Sequence, residues 1–527
     1  MPLVLLVNPP NTTQVLEDVS CTVTRPEDLT DWANVPSLGA LTLASALVPV
    51  PGVTPVYLDG TIVPWKEILR FVEDHADDLL AVCVSMLTAS YEAGLALLRH
   101  TKALRPGIHT IVGNDHVSAL ARQCLSRQRD CMDFGFVGNE VVGPFRSLIA
   151  DLHRGTLRSP RAYPGMVAWS SDGLVETPQR PEPVFTGHDY RLIDEVYPHT
   201  AQYRANFASR VAPRLRELLG VPLHNGVPVE LARGCIKFSR HDACTFCSIQ
   251  YGGMWRNSVP DAAQGWRVVE HAVRSGYDYL SLTADELPLT FGSLLREMRD
   301  GAPDWWTGLP ENERPVFGGY ARADGLSSPR HAATLRELGV RYLMVGLDAG
   351  SAVSLSALNK PLAPARGGDP RYRAERMFQH NLDALERARD EGIYIKAGFV
   401  VGHIGMTRRL LEQNIESICA LVDAGKGAIA SSDIEVLSPE PGSFDHRYLT
   451  EPAFAAEAAQ RLGLEIADAD VRAGIAVRHA ELDTLDREQA MDDYVRAVMP
   501  ELTLDDLAKA RERLREHCRS TGVFVGE

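Results

Sequence analysis

Short apolar runs alternate with helically spaced stretches along most of this chain, in two separate series. That alternation restricts the fold more than any other feature, because continuous apolar strands joined by helices form parallel sheets covered on both faces. The first series has strands at 4–10, 54–60, 79–88, 109–114 and 133–140. Helices are expected near 37–48, 65–75, 91–104, 117–126 and 144–153. The pattern predicts an α/β domain over residues 1–154, a doubly wound parallel sheet whose ligand sits beyond the carboxyl ends of its strands. The residues at those ends are Asn8, Pro9 and Pro10, then Asp59 and Gly60, then Ser85, Met86, Leu87 and Thr88. Gly113 and Asn114 follow, and Gly138, Asn139 and Glu140 close the set.

Residues 155–226 are irregular and rich in Pro, Arg and aromatics, which reads as a linker. The second series begins at 227–235 and continues at 277–285, 314–322, 340–348, 393–402 and 427–438, with helices expected near 262–274, 329–338 and 375–391. Six strands in this order predict a partial (β/α)6 barrel over 227–445, with chemistry at the carboxyl-end loops. The last stretch, 446–527, is acidic and rich in Ala and Leu, and reads as a C-terminal helical domain with no evident chemistry.

The chain has 527 residues, too many for one core. Its net charge of -15, without a basic stripe, argues against a nucleic-acid partner. No apolar run reaches the length of a membrane span. The start, MPLVLLVNPP, reads as a buried strand because it lacks a charged leader and a cleavage site. Nine cysteines without an export signal point to free thiols in a reducing cytoplasm.

Three of those cysteines stand together. Eight residues separate Cys235 from Cys244 and two separate Cys244 from Cys247, directly after the first strand of the second series. Thiolates ligate iron–sulfur clusters, and three of them leave one iron of a 4Fe–4S cluster open. A second arrangement uses the same residues: Cys244 and Cys247, completed by Cys235 and His241, could hold a tetrahedral zinc ion. Cys21, Cys83, Cys124, Cys131, Cys419 and Cys518 are scattered and read as structural.

The segment His241-Asp242-Ala243-Cys244-Thr245-Phe246-Cys247-Ser248-Ile249-Gln250 resembles the long-loop form of the radical S-adenosylmethionine superfamily, whose usual loop has three residues between its first two cysteines. Phe246 stands at the family's aromatic position. Along the barrel, Asp285 and Glu286, Arg322 and Asp324 in GGYARADGL, and Asp348 in VGLDAGSAVSLSALNKPL resemble the family's strand-end motifs. Gly402-His403-Ile404-Gly405 stands where many members have a Gly-x-Pro-Gly turn, here without the proline. Residues 1–154 resemble the Rossmann-like cobalamin-binding domain fused upstream of many such enzymes, through Asn8-Pro9-Pro10, PSLGALTLASAL, VSMLTAS, VGNDH and VGNE. The Asp-x-His-x-x-Gly motif that supplies a histidine to cobalt is absent, which leaves Met86, Leu87 or water for that face.

The resemblance implies three cofactors: a 4Fe–4S cluster on Cys235, Cys244 and Cys247, cobalamin, and S-adenosylmethionine. It implies a C-methyltransferase of natural-product (antibiotic) biosynthesis, moving a methyl through cobalamin to a carbon of a small molecule, tryptophan included, or of a ribosomal peptide. An external electron donor would serve the cluster. Asp285 or Glu286 would bind the amino end of S-adenosylmethionine, or cap the open iron and turn the transfer polar. Tyr320, Arg322 and Asp348 would face cofactor or substrate, and His403 could act as acid or base. Two other readings share these cofactors or part of them: a non-methylating cyclase or rearrangement enzyme, and a non-enzymatic cobalamin or metal sensor.

Overall fold

The computed structural model describes residues 1–10, 34–237, 243–248, 256–362, 370–462, 474–476 and 487–525. The chain divides into two units. The first comprises Met1–Pro213, His224–Pro228 and Arg274–Gly276; the second comprises Arg214–Leu223, Val229–Val273 and Tyr277–Glu527.

The first unit is built on β1 (Leu3–Asn8), β2 (Thr54–Asp59), β3 (Leu79–Ser85), β4 (His109–Gly113) and β5 (Phe134–Phe136), all parallel. Their helices are α1 (Leu38–Leu47), α2 (Trp65–Asp74), α3 (Tyr91–Leu104), α4 (Asp115–Arg127) and α5 (Val142–Arg154). α1 packs on α5 and α2 on α3, so both faces of the sheet are covered. This is the doubly wound sheet expected from the pattern. Its order is β2-β1-β3-β4-β5, which puts the reversal of strand order between the ends of β1 and β3, at Asn8 and Ser85.

The segment expected as a linker is different. β6 (Met166–Ser170) and β7 (Gly173–Glu176) form a hairpin that extends the sheet antiparallel from β5. Beyond it, Thr42 Oγ1 lies 2.8 Å from His188 Nε2, and Ser45 Oγ accepts from the Asp189 amide at 2.9 Å. These residues therefore belong to the first unit's own structure. A hairpin this short has too little alternation to stand out in a Pro- and Arg-rich stretch.

A second sheet has the order β16-β15-β14-β13-β12-β11-β8, the open succession of a partial barrel. The strands are β8 (Gly226–Val229), β11 (Tyr279–Leu282), β12 (Val316–Arg322), β13 (Val340–Asp348), β14 (Tyr394–Val401), β15 (Ile429–Val436) and β16 (Phe524–Val525). β9 (Ala232–Arg233) and β10 (Asn257–Ser258) form a small antiparallel pair beside the cysteine loop. The helices are α6 (Ala262–Arg274), α7 (Gly292–Asp300), α8 (Pro329–Leu338), α9 (Ala352–Ala357), α10 (Pro370–Glu391) and α11 (Arg408–Ala424).

The C-terminal stretch is not a separate helical domain. After α12 (Phe444–Thr450) and α13 (Arg487–Val498), α14 (Leu504–Ser520) packs on α11 and β15, and β16 pairs parallel with β15. α14 starts at Thr503, whose capping box with Asp506 satisfies the first amides. Its buried stripe, Leu507, Ala510, Leu514 and Cys518, has helical spacing. Among the described residues no helix is long and apolar enough to cross a membrane.

Candidate functional site

The cysteine loop leaves β9 through Gly234, whose φ of +100° is a left-handed conformation suited to glycine. The Gly234 amide donates to Asp285 Oδ2 at 2.9 Å, so the loop after β11 holds the start of the cysteine loop. Burial pushes the Cys235 thiol up to about 11. Cys244 is buried, Cys247 is half-buried, and the Cys247 amide donates to the Cys244 carbonyl at 3.1 Å. Phe246 lies between them, half-buried.

Three buried cations stand together here: Lys237 and Arg322 both donate to the carbonyl of Lys360. Burial pulls Lys237 down to about 8. Arg322 forms a two-pronged pair with Asp324 (2.9 and 2.8 Å) and donates to the Lys360 carbonyl at 2.7 Å. Burial works against ionising Asp324, yet the Arg322 guanidinium holds its carboxyl below the ordinary range. Lys360 pairs with Asp348, and Gly346 makes room: a Cβ there would stand 2.9 Å from Lys360 Nζ and 3.0 Å from Asp348 Oδ1. Asp348 itself adopts φ +60°, a costly conformation for a side-chain-bearing residue.

This donor set fits an iron–sulfur cluster. Three thiols on one loop can each take a different iron, and the neighbouring cations offset the negative charge that three thiolates bring. Among the described residues no three His, Cys, Asp or Glu side chains form a ligand set for a single metal ion. His241, the fourth ligand of the zinc arrangement, lies outside the described residues.

The two acidic candidates separate. Glu286 is fully buried and accepts from the Leu289 amide (2.9 Å), the Thr290 amide (2.7 Å) and the Thr290 hydroxyl (2.6 Å). It shapes its own loop, and burial raises its pKa. Asp285 is the half-buried one beside the cysteine loop. Tyr320, on β12, is half-buried, and its carbonyl accepts from Leu287. His403 is buried, with Nδ1 2.9 Å from the Ile404 carbonyl and Nε2 3.1 Å from Ser354 Oγ on α9. Burial holds its pKa down at about 4, so the ring is neutral at pH 7 and bridges the Ile404 carbonyl and Ser354 of α9.

At the first sheet's carboxyl edge, Ser85, Leu87, Thr88, Gly113, Asn114 and Asn139 are half-buried or exposed. Asn114, at φ +78°, donates to Ser85 Oγ at 2.8 Å and ties β4 to β3 beside the switch point. Met86 is fully buried in the core, where its methyl would lie 2.8 Å from a Cβ placed on Gly94 of α3. Glu140 is buried and accepts from the Glu182 amide at 2.8 Å, while Gly138 donates to Ser118 Oγ at 2.9 Å. Asn8, Pro9 and Pro10 are buried as well. Of the remaining cysteines, Cys83, Cys124, Cys131 and Cys518 are buried and Cys419 is half-buried; Cys21 lies outside the described residues.

One cluster escaped the sequence reading. Asp59, 1% exposed, accepts from Asn8 Nδ2 (3.1 Å), Tyr57 (2.5 Å), Tyr203, the Thr61 amide (2.9 Å) and the Thr61 hydroxyl (2.8 Å). Only its turn position was visible in the sequence, since Tyr203 lies far along the chain.

No protein-family profile matches the chain. An uncharacterised methyltransferase of Pyrococcus horikoshii is 22% identical over 391 residues, covering 72% of this chain and 71% of that protein. The fold is that of two solved proteins. Radical S-adenosylmethionine methyltransferase TsrM from Kitasatospora setae, solved with cobalamin and a 4Fe–4S cluster, matches with TM-score 0.58 at 16% identity over 86% of this chain and 76% of its own. TsrM has also been solved with tryptophan substrate and an S-adenosylmethionine analogue (TM-score 0.57, 15% identity, 86% and 77% covered). The cobalamin-dependent S-adenosylmethionine radical enzyme OxsB with aqua-cobalamin matches with TM-score 0.60 at 14% identity over 89% of this chain and 63% of its own.

Proposed function

We propose that this protein is a cobalamin-dependent radical S-adenosylmethionine C-methyltransferase of natural-product biosynthesis, acting in the cytoplasm on a small molecule or peptide and served by an external electron donor. Tryptophan is the first acceptor to test, because TsrM, which shares the fold, has been solved with it. The observation that carries the reading is the cysteine loop beside the carboxyl ends of the second sheet, with Asp285 accepting from the Gly234 amide at its start and the buried Lys237 and Arg322 both donating to the Lys360 carbonyl.

Cobalamin would carry the methyl group from S-adenosylmethionine to carbon, and the cluster would supply the electron that starts radical chemistry on a second S-adenosylmethionine. In this reading Cys235, Cys244 and Cys247 hold three irons. Asp285, not Glu286, is the carboxylate available to the amino end of S-adenosylmethionine, since Glu286 is committed to Leu289 and Thr290. Arg322 and Lys360 balance thiolate charge while Asp324 and Asp348 hold them in place. Tyr320 faces substrate. In the first unit, Ser85, Leu87, Thr88, Gly113, Asn114 and Asn139 form the cobalamin edge.

The test is incubation with methyl-labelled S-adenosylmethionine, a reductant and cobalamin, against tryptophan, peptides and cell extract. Label is expected first on cobalamin and then on an acceptor carbon. Turnover that leaves every product unlabelled would favour the cyclase, and no turnover with cobalamin bound would favour the sensor. Anaerobic reconstitution should give about four irons per chain; zinc alone would sink the reading. Replacing Cys235, Cys244 and Cys247 together with Ala should abolish both iron and turnover.

A further inference from the structure

We propose that Lys237 and Asp445 are positioning residues for the cysteine loop, each fastening one arm of it to a later segment of the second unit. The proposal takes its purpose from the cluster reading and its geometry from the bonds around the loop.

Lys237 stands two residues after Cys235 and is 3% exposed. Its ammonium donates to the carbonyls of Asn359, Lys360 (3.2 Å) and Pro361 (2.9 Å). An ammonium carries three N–H donors, and here three carbonyls meet them. A lysine so buried is held by its acceptors and is not a solvated surface charge. The same segment grips the other arm: Asn359, at φ +49°, donates from Nδ2 to the Ala243 carbonyl at 2.7 Å, and the Thr245 amide donates to Leu358 O at 3.1 Å. Residues 358–361 therefore touch the loop on both sides of its long spacer.

The second fastening uses Asp445, the last residue assigned to the barrel, and Tyr494 of the C-terminal stretch, to which the sequence assigned no chemistry. Thr245 lies inside the Cys-x-x-Cys turn, and its carbonyl accepts from the Asp445 amide at 3.1 Å. Asp445 is fully buried on α12, and its Oδ1 accepts from the Tyr494 hydroxyl of α13 at 2.6 Å. Both fastenings lie outside the ligand set and hold described residues next to the cysteines: Lys237 two residues after Cys235, and Thr245 directly after Cys244.

The experiment uses the full chain without iron. Each cysteine is alkylated under native conditions and its rate read by mass spectrometry, with half-buried Cys419 on α11 as internal control. Lys237→Met should accelerate Cys244 by about tenfold or more while Cys419 stays at the wild-type rate, and Lys237→Arg should restore protection. Tyr494→Phe should accelerate Cys244 and Cys247 with the same control. Wild-type rates at Cys244 in Lys237→Met, or equal acceleration of Cys419, would overturn the proposal. After anaerobic reconstitution, Lys237→Met should hold under half the wild-type iron. Loss of a nearby cation should also lower the cluster's midpoint potential, by about 59 mV if the oxidised-to-reduced ratio shifts tenfold. Unchanged iron content and potential would overturn it too. Wild-type protein that binds no iron would sink the cluster reading alone, because the alkylation rates still decide the fastening.

Discussion

Asp59 shows how much one carboxylate can organise when every acceptor site is used. Its partners come from β1, from β2 and the turn after it, and from Tyr203 far downstream. Asp59→Ala takes the acceptor from the buried Tyr57, Tyr203 and Asn8 donors; the two hydroxyls, 3.2 Å apart, can still bond each other, which leaves two donors unmet at about 1–3 kcal/mol each. The first unit should lose about 3 kcal/mol or more, seen as a lower urea midpoint at unchanged slope. His403 makes a pH-dependent contribution of known sign. Its folded pKa is held at about 4, below the ordinary 6.5, so the unfolded chain binds the proton first. Stability from this group is present above pH 6.5 and is lost as pH falls through that window, by about 1 kcal/mol per pH unit. The difference between wild type and His403→Gln in denaturant midpoint across that range should carry this slope; a flat difference would refute it. Residue types and spacing revealed the thiols and their charged neighbours as candidates. They could not reveal that Glu286 turns inward while Asp285 stays beside the loop, because that depends on which way two adjacent side chains point.

The strands and helices of both series were legible because their apolar periodicities are long and unbroken. α7 and α11 were not anticipated, although parallel strands require crossovers of about a dozen residues or more, usually helical. α11 carries its own signal in Leu411, Ile415, Ile418 and Val422, following the Thr407 cap. β6 and β7 lie in a Pro- and Arg-rich stretch whose composition reads as irregular, and β16 has only two residues, too few to show a period. α14 was read as part of a separate domain because its charged faces outnumber its apolar stripe. Its burial against α11 and β15 makes it part of the second sheet's cover. Leu514 is 1% exposed in that interface, so Leu514→Ala should cost about 3 kcal/mol in the second unit's stability. A change under about 0.5 kcal/mol would mean that α14 is peripheral.

At the scale of the molecule, two units with separate cores should respond separately to their proposed cofactors. A ligand that binds only the folded state stabilises it by about 2.7 kcal/mol at a hundred times its Kd. Cobalamin should therefore raise the melting transition that Asp59→Ala lowers, and iron–sulfur reconstitution the one that Leu514→Ala lowers. Calorimetry of the four combinations checks this assignment; cobalamin raising only the Leu514-sensitive transition would reverse it.

By itself, the sequence determined the two strand–helix series, the acidic balance of the chain and the cysteine triplet after a strand. All of these are written in local periodicity, composition and spacing. Tertiary structure decided what needed distant partners. It brought Tyr203 to Asp59, buried the side chains of Met86 and Glu140, and joined the C-terminal strand to the second sheet. It also set Lys237 and Asp445 against the two arms of the cysteine loop. Buried polar groups must find acceptors and donors wherever the chain supplies them, and no spacing rule in the sequence says where that will be.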